Sequence, residues 1–230
     1  MCAGAFSPLV IEWGEEDLII AVDAGFGHLE RMGILPDYLI GDLDSIEPPL
    51  LPALREFSAA RPERVIRLPV EKDDTDTIYA LRFGLKLGYR RFDLYGAMGG
   101  RLDHTLANLQ SLLFVRRHGA DAYLFDERCM VFVIEEETRR FVRGMTGMFS
   151  LFALSERCGD VTITGMKYPL EHGVLSSSFP LGVSNEFDPG ADDGQGHGAS
   201  VTVRQGAALA VVTYRVEKKT GEAVMPPEFH

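Results

Sequence analysis

Asp42 and Asp44 lie one residue apart in the stretch Ile40-Gly41-Asp42-Leu43-Asp44-Ser45. Two carboxylates at i and i+2 can hold one hard cation. Mg²⁺ usually takes one or two carboxylates together with phosphate oxygens and waters. The plainer reading makes Asp42 a loop residue and Asp44 the cap of a helix starting near Pro48. Further acidic residues weigh against it: the run Glu71-Lys72-Asp73-Asp74-Thr75-Asp76, and the single aspartates Asp23 and Asp103. So many carboxylates on one edge of a fold repel each other unless a cation is present. Gly25, Gly27, Gly41, Gly96, Gly99 and Gly100 accompany them. Glycine near a helix N-terminus suits a phosphate chain, because free backbone N–H groups bind anions there. Lys72 and Arg101 are the few basic groups nearby. Together these residues point to transfer of a phosphoryl or pyrophosphoryl group from a nucleotide, chemistry that rests mainly on positioning and charge neutralisation. There is no GxxxxGK[ST] loop and no GxGxxG turn, which argues against a P-loop enzyme and a dinucleotide oxidoreductase. His104 sits in the same group, but a histidine at a helix start is more often a cap or surface residue than a base.

The elements that must position these residues are legible as alternating strands and helices. Leu18-Ile19-Ile20-Ala21-Val22 and Pro36-Asp37-Tyr38-Leu39-Ile40 read as buried parallel strands. The first delivers Asp23 and the second Asp42, at the carboxyl strand ends where open α/β sheets bind ligands. A helix is expected from about His28 to Met32, ended by Gly33, and another over residues 48–57. Residues 65–68 form a short strand. A helix then follows, capped by Thr75 or Asp76, with Ile78, Leu81 and Leu85 at helical spacing up to Gly88. Residues 91–95 and 122–125 are further strands, and between them a helix carries Leu106, Leu109, Leu112 and Leu113 on one side. This pattern predicts a parallel sheet with helices on both faces. From Cys129 the pattern changes. Residues 131–134, 148–153, 161–164, 199–203 and 208–212 are short apolar or alternating runs separated by turns, the pattern of an antiparallel all-β sandwich or small barrel. The runs 148–153 and 208–212 lack strict polar alternation, so both of their faces are expected to be covered. The expected organisation is an α/β catalytic domain over residues 1–128, a sandwich over 129–215 and a polar tail over 216–230.

Composition sets limits. The chain has 230 residues, 46% of them hydrophobic, and a formal net charge of −11. That balance argues against nucleic-acid or membrane-surface binding, both of which need basic patches. It suits a cationic ligand, or phosphates neutralised by metal. The three cysteines, Cys2, Cys129 and Cys158, form no CxxC pair. Free thiols in a reducing cytoplasm are therefore expected. No signal peptide and no apolar run near eighteen residues is apparent, so a soluble cytoplasmic protein is expected.

Several motifs also resemble those of the thiamine pyrophosphokinase family. GDLDS is similar to that family's GDFDS, EKDDTDT to its second acidic motif, and GAMGGRLDHTLANLQ to its GGRxDH helix start. GMKYPLEHG and LGVSNEF resemble its C-terminal signatures, KYPL and LGxSNE. The resemblance implies a homodimer with active sites between subunits and the reaction of ATP with thiamine to give AMP and thiamine diphosphate, with Mg²⁺. It implies that Asp42, Asp44 and Asp73 are the metal and catalytic carboxylates, supported by Asp76. It places Arg101 and Asp103 along the active site. Ser184 and Asn185 match the pair that contacts thiamine from the partner's sandwich. Asp23, Gly25, Lys72, Gly99 and Gly100 fall to the nucleotide side. The family's usual DGG is here Asp23-Ala24-Gly25. Two alternatives are a metal-dependent nucleotide or diphosphate hydrolase and a non-catalytic nucleotide-binding sensor.

Overall fold

The computed structural model describes residues 1–5, 11, 13–71 and 73–213. Lys72 and the expected tail from 216 lie outside the described residues. The chain divides into two compact units after Asp126.

The first unit alternates β1 (Ile20–Val22), α1 (Gly25–Met32), β2 (Tyr38–Gly41), α2 (Leu51–Ala60), β3 (Val65–Arg67), α3 (Asp76–Leu87), β4 (Arg91–Tyr95), α4 (Leu102–Arg117) and β5 (Asp121–Phe125). A short 3-10 turn, Pro48–Leu50, leads into α2. β1, β2 and β3 form a parallel sheet in that order, with Val22 opposite Ile40 and Ile40 opposite Ile66. β4 and β5 form a parallel pair. The N-terminal segment lies between them. Met1 accepts a hydrogen bond from the Val22 N–H (2.8 Å), and the Cys2 N–H donates to the Tyr95 carbonyl (2.7 Å). These bonds tie the β1–β3 sheet to the β4–β5 pair through the N-terminal segment.

The unbroken apolar runs follow from burial on both faces. Ala21 and Leu39 pack with Phe26 and Leu29 of α1 and Leu54 and Phe57 of α2. Their neighbours Val22 and Ile40 turn the other way, onto Ala80, Tyr79 and Phe83 of α3. Leu39 and Ile40 are both fully buried, each contributing roughly 1.5–3 kcal/mol. The helix ends obey local rules: Gly33 and Gly88 adopt left-handed conformations (φ 68° and 101°), and Thr75 caps α3 by accepting the Ile78 N–H at 3.2 Å.

α4 departs from expectation. Its buried residues are Asn108, Ser111, Leu112 and Val115, whereas Leu106 is 54% exposed. The Asn108 amide donates to the Ala97 carbonyl (2.8 Å), and the Ser111 hydroxyl donates to the Asn108 carbonyl (2.6 Å). Satisfied polar groups share the inner stripe with Leu112 and Val115, so leucine spacing marked only part of the buried face.

The second unit is an antiparallel β-sandwich of β6 (Cys129–Glu135), β7 (Thr138–Val142), β8 (Met148–Ala153), β9 (Arg157–Thr164), β10 (Leu170–Ser176), β11 (Gly182–Glu186), β12 (His197–Gln205) and β13 (Ala207–Thr213). One sheet runs β10-β9-β12-β7, and the other contains β11-β8-β13-β6. Phe141 on β7 meets Phe149 on β8 and Phe187 edge-on, at ring-centroid distances of 5.7 and 5.1 Å, so aromatic rings join the two layers. β13 is buried along almost its whole length, but β8 alternates: Phe149 and Leu151 are buried while Met148 is exposed. Ser150, between Phe149 and Leu151, is partly buried, so within the single chain one face of β8 is packed and the other is partly open. Among the described residues, no helix is long and apolar enough to cross a membrane.

Candidate active site

The loops after β1 and β2 bring three carboxylates together. Ligand oxygens of Asp23, Asp42 and Asp44 all lie within 4.8 Å of one another. Backbone geometry holds them there. Asp23 and Leu43 both adopt left-handed conformations (φ 50° and 66°), and the Leu43 N–H donates to Asp23 Oδ1 at 3.2 Å. The Asp44 N–H donates to Asp42 Oδ1 (3.2 Å), and the Ser45 hydroxyl donates to Asp44 Oδ1 (2.9 Å). Gly41 (φ 154°) makes the approach possible: a Cβ there would lie 3.1 Å from the Asp23 Cα. Gly41→Ala is therefore expected to cost roughly 1–3 kcal/mol in urea unfolding and to displace Asp42 from Asp23. A variant of unchanged stability would show that this contact yields freely.

The electrostatics favour a cation. Burial pushes the Asp23 carboxyl above its ordinary value, and the charges of Asp42, Asp76 and Asp44 push it further. At an effective dielectric of ~20, two like charges ~4 Å apart repel by about 4 kcal/mol. A divalent ion would reverse that repulsion. All donors are hard carboxylate oxygens, the set that Mg²⁺ prefers.

The second acidic run leads into α3. Asp76 opens the helix and its charge acts on Asp23. Asp73 is exposed and lies outside the three-carboxylate group. Asp74 turns away to an ion pair with Arg82.

The glycine turn after β4 packs against the N-terminal segment. The Gly4 N–H donates to the Gly96 carbonyl (2.6 Å), and a Cβ on Gly99 (φ 80°) would meet the Ala5 Cβ at 2.5 Å. Gly99 and Gly100 are exposed. Gly25 is buried, and a Cβ there would lie 2.2 Å from the Met1 carbonyl oxygen. In this structure, then, the close approach at Gly25 comes from the chain's own backbone. Arg101 forms a two-pronged pair with Asp103 (3.1 and 2.6 Å) beside the start of α4, and this hydrogen bonding holds the Asp103 carboxyl below its usual range. The His104 N–H adds a bond to Asp103 (3.0 Å).

In the second unit, Ser184 is exposed with a left-handed backbone (φ 61°), and its N–H donates to the Ser150 hydroxyl at 3.0 Å. The neighbouring Asn185 is buried. Its side chain accepts the Tyr168 N–H (2.9 Å), donates to the Tyr168 carbonyl (2.8 Å) and accepts the Glu186 N–H (2.9 Å). Glu186 pairs with Lys167 at 3.3 Å. Asn185 thus pins the Lys167-Tyr168 loop to β11, while Ser184 presents outward.

Comparison with known proteins agrees with this layout. Residues 10–124 match the thiamin pyrophosphokinase catalytic domain, and residues 133–206 match the thiamin pyrophosphokinase vitamin B1 binding domain. The chain belongs to the thiamine pyrophosphokinase family. The thiamine pyrophosphokinase of Bacillus subtilis (strain 168) is 30% identical over 181 residues, covering 75% of this chain and 79% of that protein. Thiamine pyrophosphokinase 1 of Oryza sativa subsp. japonica is 25% identical over 205 residues, covering 78% and 75%. The crystal structure of the Bacillus subtilis thiamine pyrophosphokinase superposes with a TM-score of 0.78 at 26% identity, covering 92% of this chain and 96% of that one.

Within this thiamine pyrophosphokinase scaffold, the structure joins Asp42 and Asp44 to Asp23, which the sequence reading gave to the nucleotide. It sets Asp76 near that group and leaves Asp73 outside it. Two residues not singled out from sequence shape the loops. Asn108 fixes the glycine turn through the Ala97 carbonyl. Arg82 holds Asp74. The signal for Asn108 was a polar residue within the leucine-rich helix; the ion pair of Arg82 has no local signature.

Proposed function

We propose that the chain transfers the pyrophosphoryl group of ATP to the hydroxyethyl oxygen of thiamine, giving thiamine diphosphate and AMP, with Mg²⁺ as the required ion. The observation that carries this reading is the carboxylate trio at adjacent strand ends, in a chain whose second half matches a vitamin B1 binding domain. That match favours transfer to thiamine over a hydrolase, which needs no acceptor pocket. The intact acidic loops disfavour a non-catalytic sensor.

Asp42 and Asp44 would hold Mg²⁺ with Asp23, and Asp73 is assigned to the same ion from the loop before α3. Bound there, Mg²⁺ would offset negative charge on the phosphate oxygens. The residues of the chain do the rest. Asp76 adds charge that favours cation uptake. Gly99, Gly100 and Lys72 are assigned to the phosphate chain. Arg101, steadied by Asp103, offers a guanidinium for phosphate. Ser184 is assigned to thiamine, and Asn185 supports it by fixing Tyr168. A loose transition state needs no strong base at the attacking alcohol. The positive thiazolium of thiamine suits a chain of net charge −11. Incubation with MgATP, with and without thiamine, tests the reaction. Thiamine-dependent AMP and thiamine diphosphate are expected; thiamine-independent phosphate release would overturn it in favour of hydrolysis.

A cytoplasmic homodimer whose thiamine pocket is shared between subunits is part of the same proposal, since closed two-fold symmetry is the commonest assembly. Mixing Asp73→Ala with Ser184→Ala under subunit exchange is then expected to restore part of the activity, because one site of each mixed dimer keeps both residues. No recovery, or a fully active monomer by light scattering, would remove the shared pocket.

A further inference from the structure

We infer that Arg82 is a positioning residue for the metal–phosphate site, acting through Asp74 on the loop that carries Asp73; this rests on the metal-dependent reading above. Asp73 and Asp74 are consecutive, just before the Thr75 cap of α3. Such a loop has no ladder of its own to fix it, and its like charges spread it apart. Arg82, in the second turn of α3, reaches back and takes Asp74 in an ion pair. Its guanidinium also lies over the Phe114 ring of α4, 5.5 Å from the centroid, and Phe114 meets the His118 ring at 4.1 Å, tilted by 39°. The arginine is therefore seated on a neighbouring helix as well as paired. Its planar cation does two jobs that an ammonium does poorly: it stacks on a ring and it holds a carboxylate in a fixed plane.

The consequence is a division of labour within the acidic run. Asp74 is drawn to the α3–α4 side and its charge is offset. Asp76, fixed as the first residue of α3, acts on Asp23 of the carboxylate trio. Asp73 is held between these two anchors, so its range of positions toward Asp23, Asp42 and Asp44 is narrowed. Side-chain exposures of 54% for Arg82 and 36% for Asp74 make the pair a poor source of folding stability, because solvent screens exposed ion pairs. Positioning is the role left to it.

Positioning and simple charge make opposite predictions. If Arg82 acted only through space, Arg82→Ala would strengthen cation binding by removing a positive charge, while Asp74→Asn would weaken it. If the pair positions the loop, both substitutions weaken binding. Mn²⁺ titration of the full chain followed by electron paramagnetic resonance, without nucleotide, reads this apart from turnover. Arg82→Ala and Asp74→Asn are each expected to raise the Mn²⁺ dissociation constant about tenfold, the low end for groups that orient ligands. The double variant should lose no more than either single one, and Arg82→Lys should fall in between. Tighter binding in Arg82→Ala would overturn the inference in favour of long-range charge. Unchanged Mn²⁺ binding with a lower melting temperature would overturn it in favour of a structural role. If the unsubstituted chain binds no Mn²⁺, the metal-dependent reading itself fails, and the inference with it.

Discussion

Asp42→Ala is expected to lower kcat at least about a thousandfold, equivalent to roughly 4 kcal/mol of lost transition-state stabilisation. Asp42 opens the loop after β2, outside the hydrophobic clusters packed on β1 and β2, and its carboxylate lies within 4.8 Å of those of Asp23 and Asp44. Its removal should leave the fold intact. Without metal the variant should be no less stable than the parent, because one of the charges repelling Asp23 is gone. The same reasoning sets the pH dependence. A carboxyl whose folded value is raised binds more protons folded than unfolded, so its contribution to stability falls as pH rises through that value. Mg²⁺ should reverse that penalty and raise the melting temperature more at pH 7 than near pH 4. Turnover at saturating MgATP and thiamine, with thermal melts at both pH values, measures these effects. Near-normal activity of Asp42→Ala at limiting Mg²⁺ would remove Asp42 from the metal site.

Phe141→Ala is expected to destabilise the second unit by about 3–5 kcal/mol. Phe141 is fully buried and touches Phe149 and Phe187 edge-on, so its removal opens a cavity between the two sheets. Its neighbours are bulky rings, Phe149 on β8 and Phe187 just after β11, and cannot collapse far into the space. A unit of about a hundred residues has little stability to spare. Urea unfolding followed by near-ultraviolet circular dichroism gives the value, and a loss below about 1 kcal/mol would mean that the sheets are not joined through this residue.

Legibility differed between the halves for a physical reason. In the first unit, strands covered on both faces must be apolar throughout, and this marked the runs 18–22 and 36–40, which hold β1 and most of β2 though each run begins two residues early. The ends of α1 and α3 were legible because Gly33, Thr75 and Gly88 act locally. In the second unit, residues 148–153 matched β8 and the segment of Ser184 and Asn185, read as strand or strand end, fell in β11, whereas β7 and β10 were absent from the expected strands. Thr138-Arg139-Arg140-Phe141-Val142 carries one fully buried side chain among polar neighbours, and β10 contains glycine and charge. Strands with one solvated face can carry such residues, and local pattern then fails to mark them.

The sequence by itself determined that Asp42 and Asp44 end a buried strand, that Thr75 starts a helix, and that the two halves differ in class. Each of these depends on residues a few positions apart. The tertiary structure decided which third carboxylate joins the pair. Asp23 does so because β1 and β2 are hydrogen-bonded neighbours in register, Val22 opposite Ile40, and because Gly41 lets their ends touch. Adjacent strands lie about 4.8 Å apart, so strand order sets which side chains share an ion. That order is absent from local pattern, as is the turning of Asp74 toward Arg82: both depend on distant backbone brought together only when the core has formed.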